Sequence, residues 1–210
     1  MTAGLLLVGA SGLAREVLAS GMTGVTGILD DDRRLWGTSV GGARVLGGID
    51  EAGARSERLL VCIGPSVGRA AVAARLDALR VTAERMATWV APSARVGASS
   101  RVGSGSILLD GVVVTSDAEI GRHVVIMPNC TITHDVVVAD AATLAAGVSL
   151  GGGVEVGAGA YLGMNASVSP GARIGAGAVV GMGAVVLSDI PDGQTWVGVP
   201  ARPITPKEIP

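Results

Sequence analysis

His123 and His134 are the only two imidazoles in this 210-residue chain, so any proton transfer by histidine must fall to one of them. His134 stands in Ile132-Thr-His-Asp-Val-Val137, directly before the acid Asp135. Imidazole is the side chain whose ordinary titration lies closest to neutral pH, which suits a general base, and a carboxylate beside it can orient the ring or hold its charged form. Adjacent residues often diverge, so the sequence leaves that contact open, and a solvated corner histidine is the competing reading. Two histidines and no cysteine cluster give no ligand set for zinc, and no metal is expected. Cys62 lies in the apolar run Leu59-Leu-Val-Cys-Ile-Gly64, and Cys130 occupies an inward small position, so both read as buried thiols of a reducing cytoplasm rather than a disulfide framework.

The element that must position His134 repeats every six residues. From Val90 to Val186 every sixth residue is Val, Ile or Leu, seventeen anchors in one register, and four residues after each comes a small or modest side chain such as Ala118, Cys130, Ala142 or Ala160. A helix repeats near 3.6 residues and a strand at 2, so a period of six describes a chain turning a corner after each short strand. Three such sides close one coil of a parallel β-helix. With coils about 4.8 Å apart, the prism is somewhat under 30 Å long. Its thin core explains why the chain has no Phe and one Tyr. Glycine directly follows the anchor at 97, 103, 121, 151, 157, 163, 175 and 181, where tight corners are expected to demand unusual backbone angles. The remaining outward positions read as irregular.

Eighteen residues per coil place Ser116 below and Gly152 above His134. A missing side chain at Gly152 leaves room for a ligand and exposes a backbone N–H, making a base and an oxyanion donor of His134 and Gly152.

The first ninety residues alternate strand and helix. Gly4 to Val8 is a buried strand, Gly9-Ala-Ser-Gly12 a glycine turn, and Leu13, Val17 and Leu18 line one side of a helix; a strand at Val25–Leu29 runs into Asp30, Asp31 and Asp32. Leu59–Ile63 is a further strand, followed by Gly64-Pro-Ser-Val-Gly-Arg69 and an Ala-rich helix to about Arg80. Alternation implies a parallel sheet. Amides of Ser11 and Gly12 at a helix start could meet a phosphate, and Asp30 or Asp31 a ribose hydroxyl. A plain strand-to-helix turn with solvated acids reads the same residues, because a full dinucleotide fingerprint needs another glycine. Too few strands are present for two lobes; half a Rossmann fold suits one nucleotide.

Bulk composition narrows the partners. Residues 1–89 carry net charge +1 and 90–210 carry −3, with no basic stripe for nucleic acid. The positive mean hydropathy arises from dispersed Val and Ala among 33 Gly, not from a membrane span, and the start Met-Thr-Ala-Gly shows no export leader.

The ordered segments Val8-Gly-Ala-Ser-Gly12, Ile28-Leu-Asp-Asp31, Cys62-Ile-Gly64 with Arg69, His134-Asp135, Leu162-Gly-Met-Asn-Ala166 and Val197-Gly-Val-Pro-Ala-Arg202 resemble one family. It is the group of bacterial hexapeptide-repeat sugar acyltransferases with an N-terminal nucleotide-binding half-domain, which includes sialic acid O-acetyltransferases and N-acetyltransferases of nucleotide-linked amino sugars. The resemblance implies an α/β Rossmann-like half-domain over residues 1–88, holding a nucleotide-linked sugar, followed by an all-β left-handed parallel β-helix over 89–210. It implies a homotrimer with acetyl-CoA in the groove between prisms. His134 would be the base, Asp135 its orienting neighbour where relatives usually carry Glu, and Gly152 the oxyanion donor. Ser11, Gly12, Asp30, Asp31, Gly64 and Arg69 would contact the nucleotide sugar. Thr143, Gly152, Gly163, Met164, Gly181 and Pro200 would lie along the coenzyme. Two positions depart from the family pattern: Leu13 and Thr143 stand where some amino-sugar acetyltransferases have histidine. The expected activity is acetyl transfer to the amine of a nucleotide-linked amino-deoxysugar, with O-acetylation of a sialic acid or a non-catalytic trimeric nucleotide-binding module as alternatives.

Overall fold

The computed structural model describes residues 4–204, so the outer ends of both expected domains, 1–3 and 205–210, lie outside the described residues. The first part is a five-stranded sheet in the order β3-β4-β2-β1-β5, built from β1 (Leu5–Val8), β2 (Val25–Leu29), β3 (Ser39–Val40), β4 (Ala43–Gly47) and β5 (Arg58–Val61). β4, β2, β1 and β5 run parallel, and β3 is an antiparallel edge. Two helices, α1 (Gly12–Ala19) and α2 (Ser66–Ala78), complete it. Ser11 caps α1 by accepting from Leu13 N–H, and Leu13, Ala14 and Val17 are the buried side of that helix. The hairpin of β3 and β4 was not expected: the alternation that marks β4, Ala43-Arg-Val-Leu-Gly47, is short, and Gly41-Gly42 before it reads as loop.

The second part is a parallel β-helix of two-residue strands. Pairings such as Val113↔Thr131 and Thr131↔Ser149 join residues eighteen apart, one coil. Three faces result. The first, eight-stranded, stacks Trp89–Val90, Ile107–Leu108, Val125–Ile126, Thr143–Leu144 and their successors up to the closing strands at Thr195–Val197 and Arg202–Ile204. The second, six-stranded, contains Thr131–Ile132, and the third, five-stranded, contains Val137–Val138. The anchors Leu108, Val114, Ile126, Ile132, Leu144 and Leu162 interdigitate with Ala118, Cys130, Ala142 and Ala160 in one thin core. Val90, Val96 and Val102 are less covered because none of the described residues adds a further coil beneath the first. Both cysteines are free and buried; burial pushes the Cys62 thiol up, and the Cys130 thiol up to about 11.

Glycine has a different role at the corners from the one expected. The left-handed residue is the third after the anchor, taken by Gly153 (φ +68°) but also by Asp135 (φ 59°) and His123 (φ 54°). Glycines directly after the anchor, such as Gly163 and Gly151, are needed because a Cβ there would run into the backbone of the next coil.

The outward side of the first face is covered by the α/β part. Ile107, Leu109 and Val125, with Trp89 and Met127, share a core with Leu7, Leu13, Val17 and Leu60. Sorted by face, the outward positions show an apolar run on the first face, Trp89, Ile107 and Val125, and stay mixed on the other two: Arg95, Val113, Thr131, Ser149, Ser167 and Val185 on the second, and Arg101, Glu119, Val137, Glu155 and Arg173 on the third. Among the described residues no helix is long and apolar enough to cross a membrane, and no group of three or more His, Cys, Asp and Glu could hold a metal.

Candidate functional site

His134 sits on the edge between the second and third faces. Its Nδ1 lies 2.7 Å from Oδ2 of Asp135, so the adjacent side chains do converge, brought round by the left-handed backbone at Asp135. A carboxylate on Nδ1 favours the tautomer with the proton there, which leaves the Nε2 lone pair free to accept one. That edge of the ring lies against Gly152 in the next coil, where any Cβ would collide with it. Gly153 N–H donates to the His134 carbonyl at 3.0 Å, fixing the turn. The Gly152 N–H has no acceptor among the described residues. Both side chains are about two-thirds exposed in the single chain. The imidazole, the carboxylate and an amide without an acceptor among the described residues are therefore together on one open edge.

The expected coenzyme residues occupy another edge. Gly163, Met164 and Gly181 line the corner between the first and second faces, where Met164 is half exposed and a Cβ at Gly181 would strike Val197 of the closing strand. Gly198 and Ala201 bond to Val185, which seats exposed Pro200 above the second face. Gly152 is on the His134 edge, so the second face separates it from Gly163 within one chain. Thr143 is with neither. It is buried on the first face, its hydroxyl 2.9 Å from Ser66 Oγ and accepting from Arg69 Nη2 at 2.7 Å, so it is no coenzyme contact in this chain.

The residues expected to hold a nucleotide sugar converge only in part. A cavity of about 330 Å³ opens between the two parts, walled by Ser11, Gly12, Leu13 and Glu16 on one side, Gly64 and Pro65 behind, and Val125, Met127 and Thr143 on the β-helix. Ser11 Oγ also donates to the Cys62 carbonyl at 2.6 Å, tying the glycine turn to the strand beside it. Asp30 accepts from the amides of Ala10 (2.7 Å) and Asp32 (2.8 Å), holding the turn in shape. Asp31 lies outside the cavity, paired with Arg75 and accepting from Ile49 N–H; the Arg75 guanidinium holds its carboxyl below the usual value. Arg69 is not a substrate contact: it is fully buried, with its donors turned to carbonyls of both parts. Sequence alone hides this, because an arginine after a glycine loop looks the same whether it faces ligand or backbone.

His123 is on the edge between the third and first faces, beneath α2. Its Nδ1 is buried without a partner, and burial, with Arg122 nearby, pushes its pKa down.

The family model described as bacterial transferase hexapeptide (six repeats) matches residues 117–152 and 153–188. No curated protein sequence matches the chain significantly. Among solved structures, a mutant of perosamine N-acetyltransferase from Caulobacter crescentus, in complex with CoA and GDP-perosamine, is 32% identical, covers 98% of each chain and superposes with a TM-score of 0.89. The acetyltransferase domain of PglB from Neisseria gonorrhoeae, in complex with acetyl coenzyme A, is 27% identical over 97% of this chain and 100% of that one, with a TM-score of 0.88. WeeI from Acinetobacter baumannii is 28% identical over 97% and 100%, with a TM-score of 0.85. Agreement over the full length of both parts, together with the repeat itself, carries the conclusion: the chain belongs to the family of hexapeptide-repeat sugar acetyltransferases in which a Rossmann-like half-domain precedes a left-handed β-helix.

Proposed function

We propose that the chain transfers the acetyl group of acetyl-CoA to the amine of a nucleotide-linked amino-deoxysugar, with His134 as general base. The carrying observation is the His134 ring, bonded through Nδ1 to Asp135 and packed on Gly152, on an open edge of the prism. In this reading residues 1–88 hold the nucleotide sugar at the interdomain cavity, with Ser11, Gly12 and Gly64 on its wall, and residues 89–210 carry the transfer. The amine attacks the thioester carbonyl, Nε2 of His134 takes the proton, and the Gly152 N–H stabilises the oxyanion that develops. Collapse releases the coenzyme as its thiol. Similarity to an enzyme solved with CoA and GDP-perosamine favours the amine over a hydroxyl acceptor.

His134 lies on the edge opposite the face that carries its own half-domain. Its own cavity is thus across the prism, and the site is completed by a neighbouring copy, which supports a homotrimer with acetyl-CoA in the groove between prisms. Two buried free thiols suit a cytoplasmic setting.

Thiol release with a panel of nucleotide-linked amino sugars tests the reading. His134→Ala is expected to reduce turnover about 10²- to 10⁴-fold with the acetyl-CoA KM little changed. Turnover close to wild type would remove the proposed base.

A further inference from the structure

One guanidinium joins the two parts of the molecule. Arg69 lies in the first turn of α2 and is completely buried. Nε donates to the His123 carbonyl at 2.7 Å, Nη1 to Ile63 and Gly64 carbonyls at 2.8 and 2.6 Å, and Nη2 to Ala141 and Ala142 carbonyls and Thr143 Oγ1 at 2.9, 3.0 and 2.7 Å. Two of these partners belong to the loop after β5 and four to the β-helix. No acid pairs with Arg69 among the described residues. An arginine fork can satisfy so many acceptors in one plane; a lysine, with three donors on a point charge, cannot.

Gly64 and Thr143 are both walls of the interdomain cavity, on opposite sides of the seam. Thr143 in turn reaches Ser66. We infer that Arg69 is a positioning residue for the nucleotide-sugar pocket: by clamping Ile63-Gly64 to Ala141-Thr143 it sets the gap between the half-domain loop and the first face of the β-helix. The inference rests on the reading of that cavity as the nucleotide-sugar site. It touches neither the His134 edge nor the Gly163 edge, and so it separates the binding of one substrate from that of the other.

The experiment uses the full chain with Arg69→Lys, and Arg69→Met as the harsher variant. In Arg69→Lys the KM for the nucleotide-linked amino sugar rises about tenfold while kcat and the acetyl-CoA KM stay within about twofold, the pattern of lost uniform binding for one substrate. Hydrogen exchange rises at residues 63, 64 and 141–143 and not along the second and third faces. If Arg69→Met does not fold, Arg69→Lys decides. An unchanged nucleotide-sugar KM, or both KM values and kcat worsening together, overturns the positioning role and leaves a general structural one. Unchanged exchange at 63, 64 and 141–143 overturns it as well. Wild-type protein inert towards every nucleotide-linked amino sugar counts against the proposed activity instead, and the exchange comparison then still decides whether Arg69 clamps the seam.

Discussion

His123 and His134 occupy corners of the same β-helix, one residue apart in turn position, and each ring packs on a glycine of an adjacent coil, Gly105 for one and Gly152 for the other. What differs is the cover. α2 closes over the His123 corner, its Nδ1 is left without a partner, and burial disfavours its charged form. Nothing among the described residues covers the His134 corner, and its Nδ1 is held by Asp135. The local turn therefore does not by itself distinguish the two imidazoles. A neighbouring carboxylate and an uncovered edge do, and the docking of the half-domain decides which corner keeps that edge.

The comparison can be broken most directly at the two glycines. Gly152→Ala is expected to push the His134 ring off its position and lower turnover about 100-fold with the melting temperature unchanged, because a displaced reacting group is costly and a surface methyl is not. Steady-state thiol release and a thermal melt measure the two. Asp135→Asn retains a side chain that tolerates the left-handed turn and loses the charge on Nδ1, for an expected loss of about tenfold in kcat with substrate KM values preserved. Gly105→Ala should invert the outcome. Its φ of +77° is strained for alanine and the methyl meets the His123 ring, so stability falls by about 1–2 kcal/mol in denaturant titration while kcat per folded molecule is kept.

The smallest effect is one of pH. The folded His123 ring titrates below the ordinary histidine value of about 6.5, so the unfolded chain binds the proton first on acidification. Its contribution to stability is complete above about pH 6.5 and declines as pH falls from there through the folded value. Melting curves of His123→Asn across that window should fall less steeply than those of the wild type; parallel curves would mean that the ring is not the titrating group.

Much of this is legible because the six-residue register is unambiguous: a three-sided coil gathers the Val, Ile or Leu anchors from 96 to 186 into one core. The His134–Gly152 stack followed from counting eighteen residues, and the structure has that stack. The side chain of Asp135 was open, since its approach depends on the left-handed backbone angle that a lone sequence does not announce. The surroundings of Thr143 and Arg69 are not legible in the sequence, for a common reason. Both carry polar groups near glycine-rich loops, and only the docked half-domain shows that those groups meet each other rather than a ligand. A signal for the docking was nonetheless present: taking the residue before every third anchor gives Trp89, Ile107 and Val125, an apolar stripe that the other two faces lack.

The three edges of the prism carry different residues, and the spiral assigns them by count. Adding or removing six residues would rotate all that follows by a third of a revolution, moving the imidazole edge onto the place of another. Length variation in this half of the gene is thus confined to whole eighteen-residue rungs or to bulges that return to the same edge, a reading frame imposed on the folded chain by geometry rather than by codons.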